Sequence, residues 1–301
     1  MAAMTSVTHP QGATMTTSSQ TSEPTQPILV VGGTGKTGRR VAEHLRRRGL
    51  PVRIGSRAAD LPFDWEDRST WAPALQGTSA AYVSFYPDLA VPGAPEAIAA
   101  FAAAALAAGT RRLVLLSGRG EEEAQRAEQA LQDSGAEWTI VRCSWFCQNF
   151  DESFFAEPLA CGELALPVGA VGEPFVDVED IADVAVAALT EDGHAGRLYE
   201  LTGPRLLTFA DAVAEIAGAC GRPIAYVEIG MEDFVAGLAE QEVPSDVAGL
   251  LRYLFGEVLD GRNAYVADGV RQALGRAPRD FADFARNAAD AGAWSAITEA
   301  A

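Results

Sequence analysis

Lysine is nearly absent from this chain. Its 301 residues include 23 basic side chains, and only one of them, Lys36, is a lysine. Any chemistry that needs a lysine ammonium must use that residue. The sequence has just three histidines (His9, His44, His194) and four cysteines (Cys143, Cys147, Cys161, Cys220). Thiols so spaced do not make a disulfide framework, although Cys143 and Cys147 have the separation to share a helical face. So few imidazoles supply a zinc cluster poorly, and no metal site is expected. Bases are outnumbered by 41 acids, for a formal charge of −18. A surface that negative repels phosphate backbones and anionic lipid, which argues against nucleic acid and membranes as partners. No apolar run nears the roughly 20 residues needed to span a bilayer. Residues 1–26 contain neither Lys nor Arg, so they lack the basic features of a signal or transit peptide. They read as a disordered tail, and the chain as cytoplasmic.

What is present is a substantial apolar content, 48% of residues, arranged in alternation. Strand-like runs at 28–31, 52–55, 80–84, 112–116 and 138–141 are separated by helical patterns at 36–48, 95–108 and 121–133. A further short strand is expected at 63–65. The helix at 121–133 reads as charged and exposed. This alternation predicts an α/β fold, a doubly wound Rossmann-type parallel sheet with helices on both faces. Residues 27–155 are expected to form the core of this sheet. Residues 156–301 read as a smaller C-terminal α/β lobe interleaved with part of that core. Its expected elements are a helix at 178–189 with acids in the first turn, strands at 198–201 and 225–229, and a helix at 207–220 started by Thr208 or Asp211. Short helices fill 231–286. The lobe is expected over the carboxyl edge of the sheet, where open α/β sheets bind ligands.

The loop between the first strand and first helix reads Gly32-Gly33-Thr34-Gly35-Lys36-Thr37-Gly38. Glycines there let backbone N–H groups approach a pyrophosphate, and the helix N-terminus favours its charge. The end of the second strand separates NAD from NADP binding. An acid about 20 residues on would hold the ribose 2′-hydroxyl, but this chain has Ser56-Arg57, with no acid before Asp60. Arg57 suits a 2′-phosphate, so NADP(H) is the expected coenzyme. Asp64 and Trp65 fall where the adenine is expected, with Trp65 as plain core the competing reading.

Gly32–Gly38, Ser117-Gly118, the run from Ala127 through Trp138 to Arg142, Phe146 and Asn149 together resemble the atypical short-chain dehydrogenase/reductases. The likeness is to the NmrA-like, NAD(P)H-binding group, in the branch that includes the ergot-alkaloid reductases of festuclavine synthase and agroclavine dehydrogenase type. Residues 177–184 and 199–204 are similar as well. The resemblance implies that residues 32–38 cradle the pyrophosphate, with Lys36 adding charge, and that Arg57 holds the 2′-phosphate. It places Ser84, Phe85, Ser117 and Gly118 along the coenzyme, with Ser117 in the position of the active-site serine. The usual Tyr-x-x-x-Lys proton donor is missing, since its two positions fall near Gly120 and Ala124.

A positioned general acid contributes on the order of 10² to 10⁴ in rate. Its loss favours acceptors that are already electrophilic: an iminium, a quinone or a conjugated enone. Tyr86 is a candidate surrogate acid. Tyr86, Trp145, Phe146 and Asn149 are expected to wall a pocket for an aromatic or conjugated small molecule. Phe146, Phe150, Phe154 and Phe155 equally read as one packed apolar face. Arg142 reads as the anchor of an ion pair, and Asp180 as a helix-start residue. Two functions follow: an NADPH-dependent reductase, or a non-catalytic redox sensor of NmrA type. The oligomeric state is left open, a homodimer included.

Overall fold

The computed structural model describes residues 26–295. The tail read at 1–26 therefore lies, save Gln26, outside the described residues. Six parallel strands form the main sheet, in the order β2-β1-β3-β4-β5-β7. They are β1 (Ile28–Val31), β2 (Val52–Gly55), β3 (Ala80–Val83), β4 (Arg112–Gly118), β5 (Glu137–Cys143) and β7 (Arg197–Leu201). A two-stranded parallel sheet pairs β6 (Glu163–Leu166) with β8 (Ala225–Glu228). The helices are α1 (Lys36–Arg47), α2 (Trp71–Leu75), α3 (Ala94–Ala107), α4 (Glu122–Gln132), α5 (Ala156–Cys161), α6 (Val178–Thr190), α7 (Phe209–Cys220), α8 (Met231–Glu240), α9 (Ser245–Tyr253), α10 (Gly269–Leu274) and α11 (Phe281–Asp290).

β1 shows why the main sheet is buried on both sides. Its four residues are all buried. Ile28 and Val30 join the core beneath α1 and α6, while Leu29 and Val31 join the core beneath α3 and α4. That is the period-two alternation of a strand covered on both faces. A third core forms around the small sheet, from Leu164, Leu166, Phe209, Ile216 and Phe281 among others. Trp294 closes it, 1% exposed, with its indole N–H donating to the Phe150 carbonyl at 2.8 Å.

Several expectations are corrected. No strand forms at 63–65. The Phe63 N–H turns back to the Ser56 carbonyl at 3.0 Å and the Asp64 N–H to Thr70 Oγ1 at 3.0 Å, so the stretch makes local bonds in place of a ladder. Phe63 packs inside an aromatic group with Trp65, Trp71 and Phe101. The strand read at 225–229 is β8, paired with β6, and the one read at 198–201 is β7, at the edge of the main sheet. β6 itself escaped notice, because its four residues offer only Leu-Ala-Leu alternation. Asp180 stands in the first turn of α6, as read, with Asp177 as the capping side chain, accepting from Glu179 N–H at 2.9 Å. Asp180 is fully buried and paired with Arg276 and Arg279. Thr208 and Asp211 both start α7, as a reciprocal capping box. Cys143 and Cys147 share no helix, and all four cysteines are free.

Removing a buried indole leaves a cavity and an orphaned carbonyl. Trp294→Ala is therefore expected to lower unfolding stability by about 3–5 kcal/mol, measured by urea titration. A loss below about 1 kcal/mol would show that the segment after α11 is not fastened by this indole.

Candidate coenzyme and substrate site

β1 is flanked by β2 on one side and β3 on the other. The winding direction of the chain reverses there, and such a switch point opens a crevice at the carboxyl ends of the strands. The glycine loop fills it. Gly32 has φ +69°, and a Cβ on it would approach the Ser84 Cβ to 3.1 Å. A Cβ on Gly38 would stand 2.2 Å from the Gly32 carbonyl oxygen, and one on Gly33 would be 2.9 Å from the Val30 oxygen. Only glycine permits this backbone path. The helix it feeds begins at Gly35 without a side-chain cap and with no acid in its first turn. Those N–H groups remain directed at the crevice, as an anion requires. The loop thus fits a pyrophosphate.

Two cavities meet above it. One, of about 440 Å³, runs past Gly35, Thr37, Ser84, Phe85, Tyr86 and Ser117. The other, of about 420 Å³, is walled by Trp145, Phe154, Phe155, Arg119, Glu173 and Leu254. Lys36, Pro87, Asp88, Glu121 and Phe146 border both. Lys36 donates through Nζ to Asn149 Oδ1 at 2.9 Å, which ties the glycine loop to the segment after β5. Burial lowers the Lys36 ammonium below its ordinary value, against the nearby charges of Glu152 and Asp151.

The sequence-selected residues divide into groups. Gly35, Lys36, Thr37, Ser84, Phe85, Tyr86, Ser117 and Gly118 line the first cavity, with Gly32, Gly33, Thr34 and Gly38 shaping the loop beside it. Ser56, Arg57, Asp64 and Trp65 lie outside its lining. Arg57 is exposed, its guanidinium carbon 5.5 Å from the Tyr86 ring centroid. Trp65 is half-buried among Phe63, Trp71, Phe85 and Phe101, and its indole N–H donates to the Ser84 carbonyl at 3.1 Å. Its surroundings follow the core reading. Trp145, Phe146 and Asn149 line the second cavity, while Tyr86 is 66% exposed. The phenylalanines separate too: Phe150 and Phe155 are buried, and Phe154 is exposed at the cavity wall.

Ser117 is buried, and its hydroxyl donates to Glu128 Oε1 at 2.6 Å. Arg142 completes that group, Nε donating to the same oxygen at 2.9 Å. The ion pair read for Arg142 is therefore present. Its partner Glu128 is 2% exposed, so α4 is not the uniformly exposed helix expected. Ala124, at the missing lysine's position, is fully buried.

Three buried groups were not singled out from sequence. Arg119 is 3% exposed, paired with Glu200 at 2.6 Å and donating to Ser144 Oγ at 2.7 Å. Glu173 is 1% exposed, and burial pushes its carboxyl up to about 7. Glu121 was read as part of a solvated charge run, yet it is buried at the junction of the cavities. Only burial distinguishes these side chains, and no spacing rule announces it. Among the described residues no group of three His, Cys, Asp or Glu could hold a metal, and no helix is long and apolar enough to cross a membrane.

Gly38→Ala forces a Cβ into the Gly32 carbonyl. Overpacking of this kind costs about 1–3 kcal/mol, so coenzyme affinity by calorimetry should fall roughly 10- to 100-fold; unchanged affinity would refute the cradle. Glu173 sets a second expectation. Its raised value means the folded chain keeps a proton that the unfolded chain has lost. Stability should then fall as pH rises from 4.5 to about 7, by at most about 3 kcal/mol. Melting curves of Glu173→Gln across that window should be flatter than those of the parent chain.

Comparison with known proteins agrees with this geometry. Residues 32–192 match the family model described as NAD(P)H-binding. The NAD(P)H azoreductase of Xenophilus azovorans is 32% identical, covering 86% of this chain and 96% of that protein. Agroclavine dehydrogenase of Claviceps fusiformis is 30% identical over 85% and 95%. The crystal structure of the NADPH-dependent quinone oxidoreductase of Escherichia coli, complexed with NADPH, shares the fold at TM-score 0.73 and 22% identity, covering 86% of this chain and 99% of that one. The chain belongs to the NAD(P)H-binding, NmrA-like atypical short-chain dehydrogenase/reductases and is an NAD(P)H-dependent oxidoreductase.

Proposed function

We propose that this protein is an NADPH-dependent reductase of a flat, conjugated electrophile: an iminium, a quinone or an activated enone. The observation that carries the reading is the shared border of the two cavities at Lys36, Asp88, Glu121 and Phe146. It lets an acceptor among aromatic side chains meet a coenzyme lying on the glycine loop. When bound, the reduced nicotinamide supplies a hydride to that acceptor.

The chain's own residues supply the rest. N–H groups at the start of α1 hold the pyrophosphate. Arg57, exposed beside Tyr86 at the cavity mouth, pairs with a 2′-phosphate through a charge-assisted contact. Trp145, Phe146 and Phe154 offer ring faces to a planar acceptor, and Asn149, fixed by Lys36, orients polar substituents. Ser117 borders the nicotinamide end, while Tyr86, beside Arg57, faces the 2′-phosphate side of the coenzyme. The names of the relatives, an azoreductase and a clavine dehydrogenase, suit conjugated nitrogen-containing acceptors.

Arg57→Ala should weaken NADPH binding about 10- to 100-fold, the worth of a charged hydrogen bond, while NADH binding stays within about twofold. Calorimetry with both coenzymes checks this; equal losses would remove Arg57 from the 2′-phosphate. Coenzyme oxidation across a panel of cyclic iminium salts, quinones and enones tests the reaction. Tight NADPH binding with no turnover of any acceptor would overturn it.

A further inference from the structure

The border between the cavities carries two carboxyls. Asp88, on the loop after β3, is half-buried, with Oδ1 accepting from Ala90 N–H at 2.8 Å. Glu121 stands at the N-cap of α4 and is 9% exposed. Its carboxyl occupies the space that a Cβ on Gly118 would take, 2.2 Å from Oε1 and 2.4 Å from Oε2. Glycine at 118 is thus what admits the acid to this spot. Asp88 and Glu121 border the same two cavities. The charge of Asp88 opposes ionisation of Glu121. As a carboxylate, Glu121 would leave Oε2 without a donor among the described residues.

The groups facing the pair are Glu128 on α4, Lys36 on α1, Arg119 after β4, Cys143 at the end of β5, Glu173 ahead of α6 and Tyr253 on α9. Burial first, then the charges of Asp88 and Glu128, push Glu121 well above the usual carboxylate range, and burial raises Asp88 too. The two hydroxyls singled out from sequence, Ser117 and Tyr86, are less suited to give up a proton. Ser117 already donates to Glu128, and Tyr86 is turned largely to solvent.

We propose that Glu121 is the proton donor of this oxidoreductase, with Asp88 as its relay to solvent, in place of the missing Tyr-x-x-x-Lys. The proposal rests on the reductase reading above. In balance, a neutral acceptor gains a hydride from NADPH, which leaves as NADP⁺, and a proton from Glu121. The Glu121 O–H bond breaks as the product O–H or N–H bond forms. The carboxylate left behind regains a proton from water through the half-exposed Asp88. A cationic iminium takes up the hydride alone and needs no such donor.

The test compares the full chain with Glu121→Gln, using NADPH and two acceptors: neutral 1,4-naphthoquinone and the N-methyl-3,4-dihydroisoquinolinium cation. The variant should lose on the order of 10²-fold in quinone turnover, at least about tenfold more than it loses on the cation. The fall of the quinone rate with rising pH should vanish with the carboxyl. Melting temperature supplies a readout free of turnover. Because Glu121 holds its proton in the folded state, the parent chain should lose stability relative to the variant as pH rises above about 4.5. Equal losses on both acceptors, or parallel melting curves across pH, would overturn the proposal. Should Glu121→Gln not fold, Asp88→Asn removes the opposing charge, and the pH at which quinone turnover falls should drop by about one unit; an unmoved profile would overturn it equally. If the parent chain turns over neither acceptor, the reductase reading fails, and the melting curves still decide where the proton sits.

Discussion

The approach of the Gly38 α-carbon to the Gly32 carbonyl sets the position of what lies above the sheet. No side chain fits between them, so the first turn of α1 is pressed onto the end of β1. That fixes Lys36, whose ammonium reaches Asn149 across 113 residues of sequence. One turn on, Arg40 reaches Glu152 and Glu179, each at 2.7 Å. A single helix start thereby locates the anion-binding amides, the segment after β5 and the beginning of α6. These contacts are half-buried, so their value lies more in fixing geometry than in net stability.

The same region resolves an electrostatic conflict. A chain of formal charge −18 must accept a coenzyme bearing several phosphate charges. Long-range repulsion in the solvent is screened within about 10 Å, so the local groups decide. Around the crevice, Lys36 and the helix start face the phosphate position, while the acids that line the cavity over it, Asp88 and Glu121, are held above the usual carboxylate range by burial. Burial therefore removes negative charge where it would do most harm. Two other buried carboxyls are met by arginines, Glu128 by Arg142 and Asp180 by Arg276 and Arg279.

What could be read from sequence follows from how local each signal is. The glycine loop, the strand before it and the helix after it form a contiguous pattern with one physical use, and they stand as expected. β1 to β5 and α6 were legible because period and burial agree. The segment at 63–65 was misread, since an aromatic cluster and a strand share the same residue types and differ only in where the backbone bonds go. β6 and β8 depend on each other across about 60 residues, a pairing that no local window contains. Glu121 was hidden for a related reason. Its neighbours Glu122 and Glu123 are solvated, and only the absent side chain at Gly118 makes room to draw it inward.

The solitary lysine has a practical meaning for chemistry done on the protein from outside. Apart from the α-amino group, Lys36 Nζ is the one aliphatic amine on which an acylating or reductively alkylating reagent can act. It borders both cavities and is partly withdrawn from solvent. The molecule thus carries one side-chain amine to label, and the mass added at Lys36 itself counts how many copies stand empty at a given coenzyme concentration.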